Sequence, residues 1–292
     1  MDTMETLSIP QRLVVTGHPK LLESMQEAES VSAYLKQKGL DAPFGSLYDE
    51  KLRKRVHAGE FDMLIAVGGD GTMLRAGHLC APHGIPVLGI NMGRLGFLFQ
   101  VDDDDWPKMI DRLLAGDFWI ENRMMLRTEH LRSGESLGSW QGLNDTVIAR
   151  GQFLRPIHVQ ANVDGQYLTT YVADGVIAST ATGSTAYAMA SGGPILPPEL
   201  RNILLIPIAP HLSVDRAVVL SEGSKVNLKV LSENSVLSID GQLPVSLAED
   251  DQVDIHAGEN TAKFVRFGDP GYFYRNLTAH MNNQSATIGL PR

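Results

Sequence analysis

An apolar run, Met63-Leu-Ile-Ala-Val67, passes without a break into Gly68-Gly69-Asp70-Gly71-Thr72, and nowhere else in the 292-residue chain do residue type and spacing say so much about chemistry. Glycines at the end of a buried strand allow positive φ and bring backbone N–H groups close to an anion at the N-terminus of the following helix, so a phosphate is the natural guest. Two familiar phosphate loops are excluded. No G-x-x-x-x-G-K-[ST] occurs, and Leu74 stands where the dinucleotide fingerprint needs its third glycine. A carboxylate inside a phosphate loop repels its own ligand, so Asp70 needs a reason to be there. It can accept a proton from an attacking hydroxyl or help hold Mg²⁺. The plainer alternative is a turn aspartate bonded to its own backbone.

Other constellations are weaker. His78-x-Cys80-x-x-His83 offers three metal ligands but no fourth. Cys80 is the only cysteine, which excludes an intrachain disulfide and a thiolate cluster and leaves an inert, partly buried thiol. Four aspartates, Asp102 to Asp105, precede Trp106-Pro107. Acidic residues at a helix start with proline in the first turn are ordinary capping and dipole chemistry rather than a metal site.

The elements that must position the loop alternate in the first third of the chain. Strands are expected at 13–16, 63–67 and 85–90, and helical patterns at 21–38 (stopped by Gly39), 51–58, 74–79 and 109–114. Such alternation implies a parallel sheet covered on both faces. From Phe118 the pattern changes to short strands with turn signals: 124–131, a polar turn at 133–139, then 146–150, 157–163, 167–172, 176–179, 203–208, 217–220, 225–230, 236–239 and 263–267. The fold expected is thus an α/β N-terminal domain followed by a β-rich C-terminal domain. The boundaries are placed at 1–117, 118–269 and a segment 270–292 returning to the first domain, with a short helix at 277–284.

Composition bounds the rest. A 43% hydrophobic and 20% charged chain has ample core-forming material, and 25 Lys plus Arg against 34 Asp plus Glu give a net charge of −9. That balance argues against a general nucleic-acid or anionic-membrane binder. Residues 1–10 lack a basic cluster followed by an apolar core, and no stretch approaches the ~20 apolar residues that cross a bilayer. A cytoplasmic location is the expectation.

From Gly68 to Pro194 the chain resembles the NAD kinase family. Gly68-Gly69-Asp70-Gly71-Thr72 is similar to its phosphate and catalytic motif, and Asn91-Met-Gly93-Arg94-Leu-Gly96-Phe97 to its next strand-loop. Asn144-Asp145 resembles a short Asn-Glu motif. The run from Asp174-Gly175 through Thr182-Gly183-Ser184-Thr185-Ala186-Tyr187 to Gly192-Gly193-Pro194 resembles the long glycine-rich signature, and Asp240-Gly241-Gln242 also fits. The first block is shared with lipid kinases and phosphofructokinases; the long block is specific.

The resemblance implies a first domain like those of diacylglycerol kinases and phosphofructokinases, and phosphorylation of the adenosine ribose 2′-hydroxyl of NAD to give NADP. In it Asp70 accepts the proton, Gly68, Gly69 and Thr72 lie along the donor phosphates, and Mg²⁺ accompanies ATP or inorganic polyphosphate. NAD would be bound by Asp70, Gly71, Phe97, Asn144, Asp145, Arg155, Asp174, Thr185, Ala186, Tyr187, Ala188, Met189, Ala190, Ala209 and Gln242. An amide beside a carboxylate, as in Asn144-Asp145, suits a vicinal diol, and Tyr187 offers an aromatic face to a base. A homodimer or homotetramer is implied as well. Three departures bear on affinity: Asp145 is one methylene shorter than the usual Glu, Ala190 replaces a frequent Ser, and Ala181 replaces a frequent Pro. Two other readings stay open from sequence alone: a lipid kinase with an apolar acceptor groove, and a dinucleotide-binding sensor without catalysis.

Overall fold

The computed structural model describes residues 9–93, 96–151, 155–211, 214–274 and 277, and it divides the chain into two compact units. The first comprises 1–122 and 262–292, the second 123–261. In chain order the first unit contains β1 (Leu13–Gly17), α1 (Leu22–Gln37), β2 (Phe44–Ser46), α2 (Glu50–His57), β3 (Met63–Gly68), α3 (Asp70–Cys80), β4 (Val87–Asn91), β5 (Val101–Asp102) and α4 (Trp106–Leu114). The chain enters the second unit within β6 (Trp119–Arg132). It continues through β7 (Glu135–Gly142), β8 (Asp145–Arg150), β9 (Ile157–Val163), β10 (Gln166–Ala173), β11 (Gly175–Ser179), α5 (Tyr187–Ala190), β12 (Asn202–Ile208), β13 (Val218–Ser221), β14 (Val226–Val230), β15 (Ser235–Ile239) and β16 (Val245–Leu247). It returns within β17 (Gln252–Arg266).

In the first unit the strands run parallel in the order β4-β3-β1-β2, with β5 and the end of β17 also pairing parallel to β4. β1, β3 and β4 are buried along their whole length, which is why they read as continuous apolar runs instead of alternating ones. Leu13, Val15, Ile65, Val67, Leu88 and Ile90 pack on α1 and α4. α1 meets them with Ala28, Val31 and Leu35, spaced for one helical face. Gly89, of the opposite parity, faces Met73 of α3. Helices therefore cover both faces.

The second unit is built of antiparallel sheets. β13-β12-β11-β8-β15-β16 form one; β10, β9, β14 and the first half of β17 pair in another. Side chains from both, among them Ile148, Tyr171, Val176, Leu205, Leu228 and Ile255, share one core. The other face of the first sheet is buried under Ala181, Ala188 and Leu196. An α/β domain with a mostly parallel sheet and a β-rich domain is thus the architecture read from the sequence.

Several boundaries differ. The polar stretch 133–139 is not one turn: Ser133 and Gly134, both at positive φ, make a two-residue hairpin and β7 starts at Glu135. β17 is far longer than 263–267. α3 begins at Asp70, not at Leu74. Asp105 occupies the N-cap of α4 without a side-chain bond to the helix, so only the Pro107 part of the capping expectation holds. The helix expected at 277–284 lies outside the described residues apart from Leu277. Among the described residues no helix is long and apolar enough to cross a membrane.

Candidate functional site

The strand order of the first unit reverses between β1 and β3: from β1 the chain crosses to β2 on one side, and from β3 it proceeds to β4 on the other. In open parallel sheets the crevice at the carboxyl ends of two such strands is where ligands bind. Two turns border it here, Gly17-His18-Pro19 after β1 and Gly69 after β3. Ser24, buried in the first turns of α1, ties them together. Its Oγ accepts the His18 N–H at 2.7 Å and donates to the Val67 carbonyl at 2.8 Å.

Gly68 ends β3 at φ +152°, and a Cβ there would collide with the side chain of Thr72, which is buried against it. Gly69 then caps α3 in an extended conformation, with nothing within 4 Å of where its Cβ would lie. The Thr72 and Met73 N–H groups bond to its carbonyl at 2.8 and 3.2 Å. Asp70 is the first helical residue, so its carboxylate stands at the positive end of the α3 dipole. Gly96 lies directly on that carboxylate, where a methyl group would overlap all three of its terminal atoms. Gly96→Ala is expected to displace Asp70 and lower turnover about 10²-fold with the fold intact, which paired kinetics and circular dichroism would check.

Asn91, at the end of β4 beside Gly68, is 1% exposed. Its amide nitrogen donates to the Gly93 carbonyl at 3.0 Å and faces Asp102 at 3.4 Å. That fixes the amide orientation and leaves the buried Oδ1 without a partner among the described residues. Phe97 is half-buried, its ring 6.5 Å from that of Phe273. Arg94 and Leu95 lie outside the described residues.

The other predicted residues belong to the second unit. Asp240, at φ +50°, accepts the N–H groups of Leu143, Asn144 and Asp145 at 2.7, 2.8 and 2.8 Å. On the opposite side the Asn144 carbonyl takes the Thr180 N–H at 2.9 Å and the Ser179 hydroxyl at 3.1 Å. The Asn144-Asp145 pair is thereby clasped between the start of the long signature and the Asp-Gly turn. Thr182 is held by Arg123, a buried cation whose guanidinium donates to its Oγ1 at 3.1 Å. Asp174 forms an ion pair with Arg150 at 3.2 Å. Within the signature, Thr185, Ala186 and Met189 are half-buried, Ala188 is buried, Ala190 is exposed, and the Tyr187 ring is 46% exposed. Ala209 follows β12 at φ +44°, exposed, and Arg155 and Gln242 are exposed as well.

Burial, and after it the charge of Asp240, pushes the Asp145 carboxyl up to about 7. Between ~4, where an unfolded Asp titrates, and about 7 the folded chain holds a proton that the unfolded chain has lost. Stability therefore falls as pH rises through this window. Asp145→Asn is expected to leave Tm near the wild-type value at pH 4 and to raise it at pH 8. Equal differences at both pH values would count against the assignment.

Sequence reasoning missed Ser24 altogether, and it noted Gly96 and Asp240 as members of motifs without the packing of Gly96 on Asp70 or the clasping role of Asp240. Each acts on residues far away in the chain, and the sequence signal was motif membership alone. Among the described residues no three His, Cys, Asp or Glu side chains converge as a metal cluster. His83 instead meets His57 at 2.8 Å, and Cys80 is buried, which raises its thiol. In the second unit the buried His130 lies 2.7 Å from the buried Asp251, and the exposed Arg132 is bidentate on the same carboxylate, which holds β6 to the residue just before β17.

The family model described as the ATP-NAD kinase N-terminal domain matches residues 11–118, and that of the ATP-NAD kinase C-terminal domain matches 143–267. The NAD kinase of Chloroflexus aurantiacus is 35% identical over 273 residues, covering 93% of this chain and 98% of the relative. That of Heliobacterium modesticaldum is 41% identical over 225 residues, covering 76% and 79%. Among solved structures, an NAD kinase from Archaeoglobus fulgidus in complex with ATP superposes with a TM-score of 0.73 at 25% identity, covering 92% of this chain and 97% of that one. Yeast NADH kinase complexed with NADH gives 0.78 at 23%, covering 98% and 90%.

Proposed function

The chain belongs to the NAD kinase family of phosphotransferases, and from that premise we propose that it transfers the terminal phosphoryl group of ATP to the 2′-hydroxyl of the adenosine ribose of NAD, giving NADP, with Asp70 as proton acceptor. The observation that carries this reading is the carboxylate of Asp70 at the head of α3, backed by Gly96, in a loop otherwise built for phosphate. Phosphoryl transfer passes through a loose transition state, so most of the rate comes from positioning and charge. Asp70 orients the attacking hydroxyl and takes its proton late, because a carboxylate is too weak a base to remove it beforehand. Gly68, Gly69 and Thr72 supply backbone against which the donor phosphates lie, and Asn144, Asp145, Asp174, the 185–190 segment, Phe97, Arg155, Ala209 and Gln242 bind the dinucleotide.

The residues present fit a Mg²⁺ ion that arrives with the donor. Hard oxygen ligands are at hand in Asp70 and in the orphaned Asn91 Oδ1, while the lack of a converging acidic cluster among the described residues suits an ion coordinated chiefly by phosphate and water. When bound it neutralises charge on the phosphate oxygens. ATP as donor is supported by the Archaeoglobus relative, which was solved with it. The same reading takes the enzyme to be a homodimer or homotetramer, which light scattering checks.

The test is purified protein with Mg²⁺, NAD or NADH, and ATP or inorganic polyphosphate in turn, with NADP read through glucose-6-phosphate dehydrogenase and NADPH, the product from NADH, resolved by chromatography. Formation of NADP from ATP is expected. Absence of NADP with every donor overturns the reading.

A further inference from the structure

We propose that His57 and His83, whose imidazoles meet at the amino ends of the parallel strands, form a two-histidine site for a divalent transition-metal ion that prefers right-angled ligands, Cu²⁺ or Ni²⁺. The site stands apart from the phosphotransfer machinery. α3, about 16 Å long over its 11 residues, separates it from Asp70.

Both histidines sit in connections that lead into neighbouring strands. His57 is the last residue of α2, which packs beside α3, and the chain then enters β3 at Met63. His83 closes a single 3-10 turn, Ala81–His83, from which the chain enters β4 at Val87. The backbone at both positions is fixed before any ligand arrives. After His57 the N–H groups of Ala58, Gly59 and Glu60 bond back to the carbonyls of Lys54, Val56 and Arg55, and the Arg55–Glu60 ion pair closes that turn. Pro82 stiffens the turn that ends in His83, Gly84 follows at φ +63°, and the Ile85 N–H bonds to the Cys80 carbonyl. Of the three ligands spaced His78-x-Cys80-x-x-His83, the site takes only His83, and Cys80 is buried.

His57 Nδ1 lies 2.8 Å from His83 Nε2, with the ring planes 63° apart. Two imidazoles this close share one hydrogen: one nitrogen donates, the other accepts, and a proton on both would break the contact. A metal ion displaces that hydrogen without net proton release, because the N–H moves to the far nitrogen of its own ring and both facing lone pairs become free. The separation selects the metal. Imidazole nitrogens about 2.0–2.1 Å from an ion and 2.8 Å from each other subtend about 85–90°, the angle between neighbouring ligands in tetragonal Cu²⁺ and Ni²⁺ sites. Tetrahedral Zn²⁺ asks for nitrogens about 3.3 Å apart. Both side chains are exposed, so the rings are free to turn their lone pairs onto the ion and water fills the remaining positions. The carbonyl end of α2 favours added positive charge at His57. Lys54, one turn earlier, and Lys263, whose ammonium lies beside Gly84, oppose it, so a dissociable ion is expected rather than a permanent one.

The experiment uses the full chain without a histidine tag. Cu²⁺ is added to wild type, His57→Gln, His83→Gln, the double variant and His78→Gln; pulsed EPR counts the imidazole ligands, calorimetry measures Ni²⁺ binding, and Tm is taken with and without Ni²⁺. Wild type and His78→Gln are expected to bind one Cu²⁺ through two imidazoles, and each of the other single variants through one, with Ni²⁺ weakened about tenfold or more. A hundredfold excess of Ni²⁺ over its Kd is expected to raise Tm by about 5 °C in wild type and not in the double variant, because the ion staples α2 to the turn after α3. At pH 5 binding is expected to vanish, since only neutral imidazole takes a metal. Ni²⁺ affinity in the double variant within threefold of wild type overturns the proposal, as does a two-imidazole signal that survives loss of either histidine. A loss in His78→Gln as large as that in His83→Gln overturns it as well.

Discussion

Replacing Asp70 by Asn is expected to lower NADP formation by about 10²–10⁴-fold, the range of a lost general base, while NAD binding stays near the wild-type level. The amide is isosteric, so Gly96 still packs on it and Gly68 still fits beneath Thr72. What disappears is the capacity to take a proton and the negative charge that orients the hydroxyl. Removing that charge also relieves repulsion with the donor phosphates, so nucleotide affinity is expected to rise slightly as turnover collapses. Calorimetry with NAD and with MgADP, set beside a discontinuous NADP assay, separates these effects. Turnover within threefold of wild type would remove Asp70 from the chemistry.

The second large effect concerns stability. Arg266 is 1% exposed, and its Nε donates to Glu121 at 2.8 Å and lies 3.0 Å from the Tyr272 hydroxyl, which itself donates to Glu121 at 3.0 Å. The aromatic rings of Phe264 and Tyr272 lie 5.3 and 5.4 Å from the same guanidinium. Taking such a charge out of water is tolerated because a carboxylate sits beside it; stranding it costs about 3–5 kcal/mol. Glu121→Gln preserves shape but turns one accepting oxygen into a donating NH2 and strands the cation, and is expected to destabilise the first unit by that amount. Urea denaturation followed by tryptophan fluorescence measures it, Trp119 being 6.5 Å from the Tyr272 ring. A loss below 1 kcal/mol would show that the guanidinium finds compensation elsewhere.

What the sequence made legible was local. Met63 to Val67 announced a buried strand because every residue is apolar, and the glycines after it announced a ligand turn, in which Gly68 takes a positive φ that other residues rarely adopt. Likewise the two-domain layout followed from a change in hydrophobic period near Phe118. What stayed hidden depends on partners far along the chain. Asp240 reaches back to the amides of 143–145, and Gly96 is required only because Asp70 occupies the space above it. β7 escaped notice because, apart from Gly142, its residues are exposed or half-buried, so no alternation marks it. β17 was seen only at its end, since Gly258-Glu259-Asn260 interrupts its apolar alternation. The passage between units falls inside β6 and β17 rather than in a linker, so no Gly-, Pro- or Ser-rich stretch could reveal it.

The hydroxyl of Ser24 has a mechanical meaning. One oxygen grips the amide of one turn and delivers its hydrogen to the peptide before the other, so it works as a tie-rod across the mouth of the sheet. Neither turn can drift without dragging its neighbour, and slack that an incoming nucleotide would otherwise have to remove is already gone when folding ends.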